Sequence, residues 1–337
     1  MKKILFLLIG LMTFGFTMAQ SKITRDTYVY AIKGDDTLHL DLYVDHSVQV
    51  KGKRPVMIYI HGGGFSTGSR KNVAQEIFNR HLAEKGFLSV SIDYRLALGQ
   101  DLSLPNSNKY KIKGTEDAVR IANEDVVSAT NYILSKANEW QADSSTIIIS
   151  GGSAGAISAL SLEYDICNGA DYTKTLPQGF NYAGVVSQAG AIPSKNDTLV
   201  WKQKPCPVWF IHGSKDTTVP FERGVIAGDT WFGTKYLSPQ FDAMKVPHWT
   251  YVEKGADHVM AMKALTDNLE EMDKFYRCFI VNKCKTSAYT EWADEVPADM
   301  TSIDQMIKYV PLYIIGFGKY MEELGTQSFE KPKGVIY

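Results

Sequence analysis

Residues 146–155 read TIIISGGSAG and decide the fold of this chain. The first five residues are mostly β-branched, which predicts a strand that is buried on both faces of a parallel sheet. Gly151-Gly152-Ser153-Ala154-Gly155 then matches the pattern G-x-S-x-G, and the Ala- and Leu-rich stretch that follows predicts a helix. This strand–turn–helix context is that of a nucleophile elbow, where larger residues two positions either side of the serine would collide with the neighbouring strand and helix. The motif predicts that Ser153 is a nucleophile.

Strand-like and helix-like stretches alternate on both sides of this motif. Apolar or alternating runs predict further strands at 27–30, 38–43, 56–60, 88–92, 182–187, 208–211 and 249–252. Helical spacing or composition predicts helices at 74–85, 116–137 and 154–164. Repeated strand and helix units imply right-handed crossovers and a mostly parallel central sheet with helices on both faces. We therefore expect an α/β fold, and 337 residues can form it as one large domain.

A second glycine-rich motif, His61-Gly62-Gly63-Gly64-Phe65, directly follows the strand predicted at 56–60. Three successive glycines offer no side chain for packing, but they leave backbone N–H groups able to turn towards an anion. Together with the N–H of Ala154, those of Gly63 and Gly64 are predicted to form an oxyanion hole. A plain glycine turn is the alternative. His61 itself is interpreted as structural.

The general base is sought among the histidines beyond residue 200, which are His212, His248 and His258. His248 precedes the strand predicted at 249–252 and therefore lies at the wrong end of the sheet. His258 follows that strand, where parallel sheets carry their ligand-facing loops. His258 is the predicted base, with a surface-loop histidine as the alternative.

The acid of the triad is expected between the serine and the histidine in chain order. Asp216 lies in His212-Gly213-Ser214-Lys215-Asp216, just past a predicted strand end. A carboxylate there would orient the imidazole and stabilise its cation. Asp216 is preferred over three competitors, which are Asp229, Asp242 and Asp257. The predicted catalytic residues are thus Ser153, Asp216 and His258.

Composition argues against several other functions. The formal net charge is −1, so no basic surplus suggests nucleic-acid binding. The four cysteines show no CxxC or His-containing metal spacing, so neither a metal nor another cofactor is predicted. Cys278 and Cys284 could close a short disulfide loop, or all four cysteines could be free, and the sequence leaves both options open.

The two ends of the chain are predicted to lie outside the catalytic domain. Lys2, Lys3 and the apolar run that follows resemble a signal peptide over residues 1–19, cleaved after Ala19. A membrane anchor is the alternative, but the run is shorter than the ~20 apolar residues of a span. We expect a secreted or periplasmic enzyme with its catalytic domain over 20–284. Residues 285–337 would then be a C-terminal helical extension packed on that domain.

These motifs resemble the α/β-hydrolase superfamily. Within it, residues 27–279 resemble exported carboxylesterases related to hormone-sensitive lipase, including bacterial acetyl and feruloyl esterases. The segment Asp93-Tyr94-Arg95-Leu96 is also a family feature, and the resemblance implies that Asp93 and Arg95 brace the oxyanion loop. Two departures concern the subfamily. Gly152 stands where relatives usually carry an acidic residue, and residues 212–220 look more like acetyl esterases and prolyl peptidases.

The resemblance implies a serine carboxylesterase that forms an acyl-enzyme. Its expected substrates are short-chain acyl or hydroxycinnamoyl esters, either small molecules or esters linked to plant polysaccharides. No nucleic-acid partner is expected, nor a stable membrane anchor after signal cleavage. Aromatic residues could line an acyl pocket or belong to the core, namely Trp231, Phe232, Tyr236 and Phe241. Two rival functions are an exported serine peptidase of prolyl-oligopeptidase type and a non-catalytic binding protein on a hydrolase scaffold.

Overall fold

A computed structural model describes residues 22–98, 110, 112 and 114–293 of the chain. Its strands are β1 (Ile23–Lys33), β2 (Asp36–Asp45), β3 (Arg54–Ile60), β4 (Leu88–Ile92), β5 (Ala142–Gly152), β6 (Gly184–Gln188), β7 (Ala191–Ser194), β8 (Val208–Gly213), β9 (Arg223–Ile226), β10 (Asp229–Gly233), β11 (His248–Glu253) and β12 (Ala288–Trp292). Its α-helices are α1 (Val73–Glu84), α2 (Thr115–Ser135), α3 (Ala154–Asn168), α4 (Thr234–Ala243), α5 (Met260–Asp267) and α6 (Leu269–Phe275). A 3₁₀ turn covers Asp171–Thr175, and a π-helical turn covers Tyr276–Val281.

Nine strands form the central sheet, in the order β1-β2-β4-β3-β5-β6-β8-β11-β12. The hairpin β1–β2 and the β2–β4 pair are antiparallel, and every later pair is parallel. Parallel pairing brings the carboxyl ends of β3, β5, β6, β8 and β11 to one edge of the sheet. The loops that follow these strands therefore meet there, which is where α/β sheets bind ligands.

Each central strand contributes side chains to two separate cores, because successive residues point to opposite faces. Val56 and Ile58 of β3 pack into the core on the side of α2 and α3. Met57 and Tyr59 pack into the core on the side of α1 and α5. The apolar runs in the sequence thus reflect burial on both faces of the sheet.

The α/β prediction is confirmed, and the predicted strands and helices all occur with somewhat different ends. Helices α4, α5 and α6 were not predicted, and two features of the sheets were missed as well. A small antiparallel sheet, ordered β7-β10-β9, lies between elements of the main fold, and β12 adds a parallel edge strand beside β11. Short strands without strict alternation carry little periodic signal, which explains both omissions.

Only one part of the predicted C-terminal extension, residues 288–292, can be compared with a structural element of the described residues. Ala288–Trp292 lies inside the predicted helical extension, yet it forms strand β12 of the catalytic sheet. This stretch therefore belongs to the sheet rather than to a helix. The predicted signal peptide and the rest of the extension lie outside the described residues. Within the described ranges, the structure contains no helix with the length and apolarity of a membrane span.

Candidate active site

Ser153 occupies a tight turn between β5 and α3. Its backbone has φ 54° and ψ −121°, a conformation that costs a non-glycine residue on the order of 1–3 kcal/mol. A Cβ at Gly151 would lie 2.3 Å from the carbonyl carbon of Gly155, and a Cβ at Gly155 would lie 1.9 Å from the oxygen of Ile60. The collisions expected from the sequence are therefore present, with the helix and with the neighbouring strand β3.

Gly152 has a separate steric reason that the sequence did not reveal. A Cβ at this position would lie 2.2 Å from the backbone oxygen of Ala261 in α5. The close approach of α5 leaves no room for the acidic side chain that the esterases resembling this sequence usually carry here. This departure from the family pattern is thus linked to the position of the helix that follows His258.

The structure brings the three predicted catalytic side chains into one hydrogen-bonded row. His258 Nε2 lies 2.8 Å from Ser153 Oγ, and His258 Nδ1 lies 2.7 Å from Asp216 Oδ2. The Asp216 carboxylate is fully buried, whereas the His258 side chain is 20% exposed. In this geometry the imidazole can take the serine proton while the carboxylate holds the opposite ring nitrogen.

Asp216 is held as an anion by donors on both of its oxygens. The N–H groups of Thr218 and Val219 each donate to Oδ1 at 2.9 Å. Burial by itself would raise the pKa of Asp216, but hydrogen bonds from His212 and His258 outweigh it and hold that pKa well below its usual value. The carboxylate therefore stays charged across the range in which histidine titrates.

The loop that carries Asp216 and the loop that carries His258 are tied together through their backbones. Ser214 N donates to Glu253 O at 3.0 Å, and Lys215 N donates to Ala256 O at 2.8 Å. A Cβ at Gly213 would lie 2.3 Å from the oxygen of Asp257, so the two loops touch without an intervening side chain. This contact fixes the acid relative to the base.

The predicted oxyanion donors lie in the loop after β3 and at the first residue of α3. Gly63 has φ 114° and Gly64 has φ 61°, both in the region that favours glycine. The Gly63 carbonyl accepts from the N–H groups of Ser66 and Thr67 at 3.1 and 3.0 Å, which folds the loop on itself. None of the backbone hydrogen bonds found among the loops and turns of the described residues has the N–H of Gly63, Gly64 or Ala154 as its donor.

His61 supports this loop from below. It is 1% exposed, its ring stacks on Tyr94 at 4.3 Å between centroids, and its Nδ1 lies 2.7 Å from Gly62 O. Burial lowers the pKa of His61. A Cβ at Gly68 would lie 2.6 Å from His61 Nδ1, so the returning loop packs directly on the ring. These contacts are structural, as the sequence analysis expected.

The D-Y-R-L segment braces the loop through one of its two charged residues. Asp93 accepts the backbone N–H of Arg70 at 2.9 Å and forms an ion pair with the Arg70 guanidinium, just beyond the oxyanion loop. Arg70 Nε also donates to Asp41 at 2.9 Å. Arg95, in contrast, donates to Asp125 of α2 at 3.0 Å. The expectation for Asp93 holds, whereas Arg95 fastens the segment to α2 instead.

Other candidate residues lie away from the triad. His248 begins β11 at the opposite edge of the sheet, with Nε2 3.0 Å from Ser238 Oγ. Phe232 and Phe241 are 0% and 1% exposed and belong to the core, so they do not line an acyl pocket. All four cysteines are free thiols. Within the described ranges, no group of three or more His, Cys, Asp or Glu residues could hold a metal ion.

Three supporting residues escaped the sequence analysis. His212 contacts Asp216, and Thr234 of α4 contacts His212. Lys263 of α5 forms a buried ion pair with Glu253 at 2.6 Å, which closes the loop that contains His258. His212 lies four residues before Asp216 in the quoted motif, so spacing could have suggested its contact. Neither of the other two carries a recognisable motif.

Comparison with known proteins finds esterases among those to which the chain is similar. Residues 40–193 match the family model described as BD-FAE. The chain is 32% identical to fumonisin B1 esterase of Sphingopyxis macrogoltabida over 128 residues, which cover 38% of this chain and 23% of that protein. It is 26% identical to gut esterase 1 of Caenorhabditis elegans over 223 residues, covering 64% of this chain and 34% of that protein.

Coverage of the curated relatives is partial, whereas coverage of solved structures is nearly complete. The chain spans only 3% to 7% of the fungal non-reducing polyketide synthases that it matches over short segments. Propionate-bound esterase 2 of Thermogutta terrifontis superposes with a TM-score of 0.55 at 18% identity, covering 80% of this chain and 97% of that chain. At this identity the superposition shows the fold. The superposition thus shows an α/β-hydrolase fold, and the matched family model and the two esterases show what part of the chain is similar to.

Proposed function

We propose that the chain is a serine carboxylesterase in which Ser153, His258 and Asp216 form the catalytic triad. The single observation that carries this proposal is the continuous row of hydrogen bonds from Ser153 Oγ to His258 to Asp216, at 2.8 and 2.7 Å. The row lies at the carboxyl edge of the parallel sheet, where the loop after β3 with Gly63 and Gly64 and the first residue of α3, Ala154, also lie. The esterase character of the matched proteins supports the same reaction.

The proposed reaction has two steps. Ser153 Oγ attacks the ester carbonyl, and its proton passes to His258 Nε2. The oxygen that becomes negative is stabilised by the N–H groups of Gly63, Gly64 and Ala154, each worth about 2.7–4 kcal/mol. His258 then protonates the departing alcohol. Water, deprotonated by His258, attacks the acyl-enzyme, and the carboxylic acid leaves as Ser153 regains its proton.

The proposed substrates are esters of short acyl or hydroxycinnamoyl groups. The sequence offers no long, uniformly apolar lid of the kind expected for a lipase. The segment 221–247, an insertion that could have supplied one, contributes Phe232 and Phe241 to the core rather than to a channel. The solved esterase 2 of Thermogutta terrifontis binds propionate, which supports a small acyl site on this fold. Attachment of the ester to a plant polysaccharide is proposed by analogy alone.

Hydrolysis of a nitrophenyl ester series, from acetyl to decanoyl and including feruloyl, tests the function. The wild type should turn over short or feruloyl esters, and Ser153→Ala should lose at least about 10⁴-fold in kcat. An aminoacyl-proline anilide serves as the control substrate for a peptidase. A folded wild type that cleaves the anilide but no ester, or a Ser153→Ala variant that keeps full activity, contradicts the proposal.

We also propose that the enzyme is exported to the periplasm or beyond. The proposal rests on Lys2, Lys3 and the apolar run before Ala19. Removal of residues 1–19 would change the formal net charge from −1 to −3, because both lysines are lost. Mass spectrometry of the protein recovered from the periplasm and medium should find a chain that begins at Gln20. A full-length chain retained in the cytoplasm contradicts it.

A further inference from the structure

His212 lies behind the triad acid, at the penultimate position of β8. Its side chain is fully buried, and its Nε2 lies 3.3 Å from Asp216 Oδ2. The same nitrogen lies 3.1 Å from the carbonyl oxygen of Val219. Asp216 Oδ2 is therefore shared by two imidazoles, that of His258 on one side and that of His212 on the other.

The surroundings of His212 determine which of its nitrogens carries the proton. The carbonyl of Val219 and the ionised carboxylate of Asp216 can only accept hydrogen bonds, so the nitrogen between them must be N–H. Nδ1 lies 2.9 Å from the hydroxyl of Thr234, which can donate to it. The ring of Phe221 packs against the imidazole at 5.5 Å between centroids. A neutral His212 with its proton on Nε2 satisfies every one of these contacts.

We propose that His212 is a positioning residue, which holds the Asp216 carboxylate in place and takes up part of its charge, with Thr234 fixing the tautomer that can do so. This inference rests on the proposed function, because it concerns the acid of the proposed triad. His212 touches neither Ser153 nor a substrate position, so it acts on the reaction only through Asp216.

Few titratable groups surround the Asp216 carboxylate, so the loss of one of them should affect mainly the protonation of His258. His212 from β8 and His258 from the loop before α5 are the titratable groups that contact Asp216. The other contacts are made by Thr218, Val219 and their backbone N–H groups, none of which titrates. Loss of the His212 donor therefore leaves more of the Asp216 charge facing His258. Protonated His258 is then stabilised and persists to higher pH.

The test compares His212→Leu, which removes the donor, with His212→Gln, whose side-chain amide keeps an N–H near the Nε2 position. Thr234→Val is the third variant, because it removes the hydroxyl that fixes the tautomer and leaves His212 in place. For each folded protein, kcat and KM for nitrophenyl acetate are measured from pH 5 to pH 9. The imidazole resonances of His258 are followed over the same range by NMR, which needs no catalysis.

In His212→Leu, we expect kcat to fall about tenfold, as for a lost hydrogen bond to a charged group, with KM within about twofold. The acid limb of the pH–rate profile and the His258 titration should both move to higher pH. His212→Gln should stay within about threefold of the wild type. Thr234→Val should move the acid limb to higher pH by a smaller amount than His212→Leu does. If His212→Leu does not fold, the shift in Thr234→Val tests the proposal instead.

Two outcomes would overturn the proposal. One is an equal loss of kcat in His212→Leu and His212→Gln. The other is an acid limb and a His258 titration that stay at the wild-type pH in both His212→Leu and Thr234→Val. These outcomes assign His212 a packing role only. Failure of the proposed function looks different, since the wild type itself would then hydrolyse no ester. The NMR titrations of the wild type and the variants would still decide the role of His212.

Discussion

The two halves of the active site are built by different means. The nucleophile half, formed by β3, β5 and the start of α3, depends on backbone contacts so close that Gly151, Gly152 and Gly155 tolerate no Cβ. The acid–base half, formed by β8, β11 and their loops, depends mostly on hydrogen bonds around Asp216 and His258, with a comparable close contact at Gly213. Steric closeness must be met by one residue type, whereas hydrogen bonding can be met by several.

The largest expected effect concerns the acid–base half. Asp216→Asn should lower kcat about 10⁴-fold, because the amide can stabilise the wrong tautomer of His258 and carries no charge to stabilise its cation. Nitrophenyl acetate hydrolysis measures the loss. Asp257→Asn is the matched control, since it neutralises the carboxylate next to His258 and should keep activity within a few-fold. Similar losses in both variants would mean that Asp216 is not the triad acid.

The nucleophile half should respond through folding. Gly155→Ala places a Cβ 1.9 Å from the Ile60 oxygen, so α3 or β3 must move. We expect a loss of about 3 kcal/mol or more in the free energy of unfolding, the upper end for overpacking, measured by urea denaturation. Gly114→Ala is the control, because its Cβ would meet its nearest atom at 3.8 Å. Equal stability of Gly155→Ala and Gly114→Ala contradicts the steric account.

The buried ion pair between Lys263 and Glu253, which closes the loop with His258, should contribute to the stability of the acid–base half. Lys263→Met leaves Glu253 buried beside an apolar side chain, and we expect a loss of about 3 kcal/mol in the free energy of unfolding. Lys263→Met combined with Glu253→Gln should recover most of that loss. A double variant no more stable than the single one would show that the buried charge is not the cause.

The smallest effect is expected at Asp165, which should influence the pH dependence of stability but not that of activity. Burial raises the pKa of Asp165, near the end of α3, to about 6 despite a 2.5 Å hydrogen bond from Tyr172. Its proton is bound more tightly in the folded state, so its stabilising contribution is present below about pH 4 and is lost as pH rises through about 6. Asp165→Asn keeps an acceptor for Tyr172 and does not titrate.

Relative to the wild type, Asp165→Asn should therefore gain about 1–2 kcal/mol of stability between pH 5 and pH 8. Urea denaturation at the two pH values measures the gain, while the pH–rate profile should stay in place. Asp171→Asn is the control, since that carboxylate is 96% exposed. A constant difference between Asp165→Asn and the wild type at both pH values would contradict the raised pKa.

The same contrast explains how much could be predicted from the sequence. Ser153, Gly151 and Gly155 could be predicted as an elbow because close backbone contact restricts the two flanking positions to glycine. Asp216 and His258 were found only by their places after predicted strands. Lys263 and Thr234 were missed, because an ion pair or a hydroxyl bond between distant segments depends on tertiary packing. The strand β12 was missed for a related reason, since its pairing with β11 is set by the fold and not by its own pattern.

Covalent labelling tests the central claim, a nucleophilic Ser153 activated by His258, most directly. The mature protein and Ser153→Ala are incubated with paraoxon, and peptide mass spectrometry locates any diethylphosphoryl group. We expect one adduct, on Ser153, that forms faster as His258 loses its proton and is absent from Ser153→Ala. An unmodified wild type, or an adduct that persists in Ser153→Ala, would contradict it.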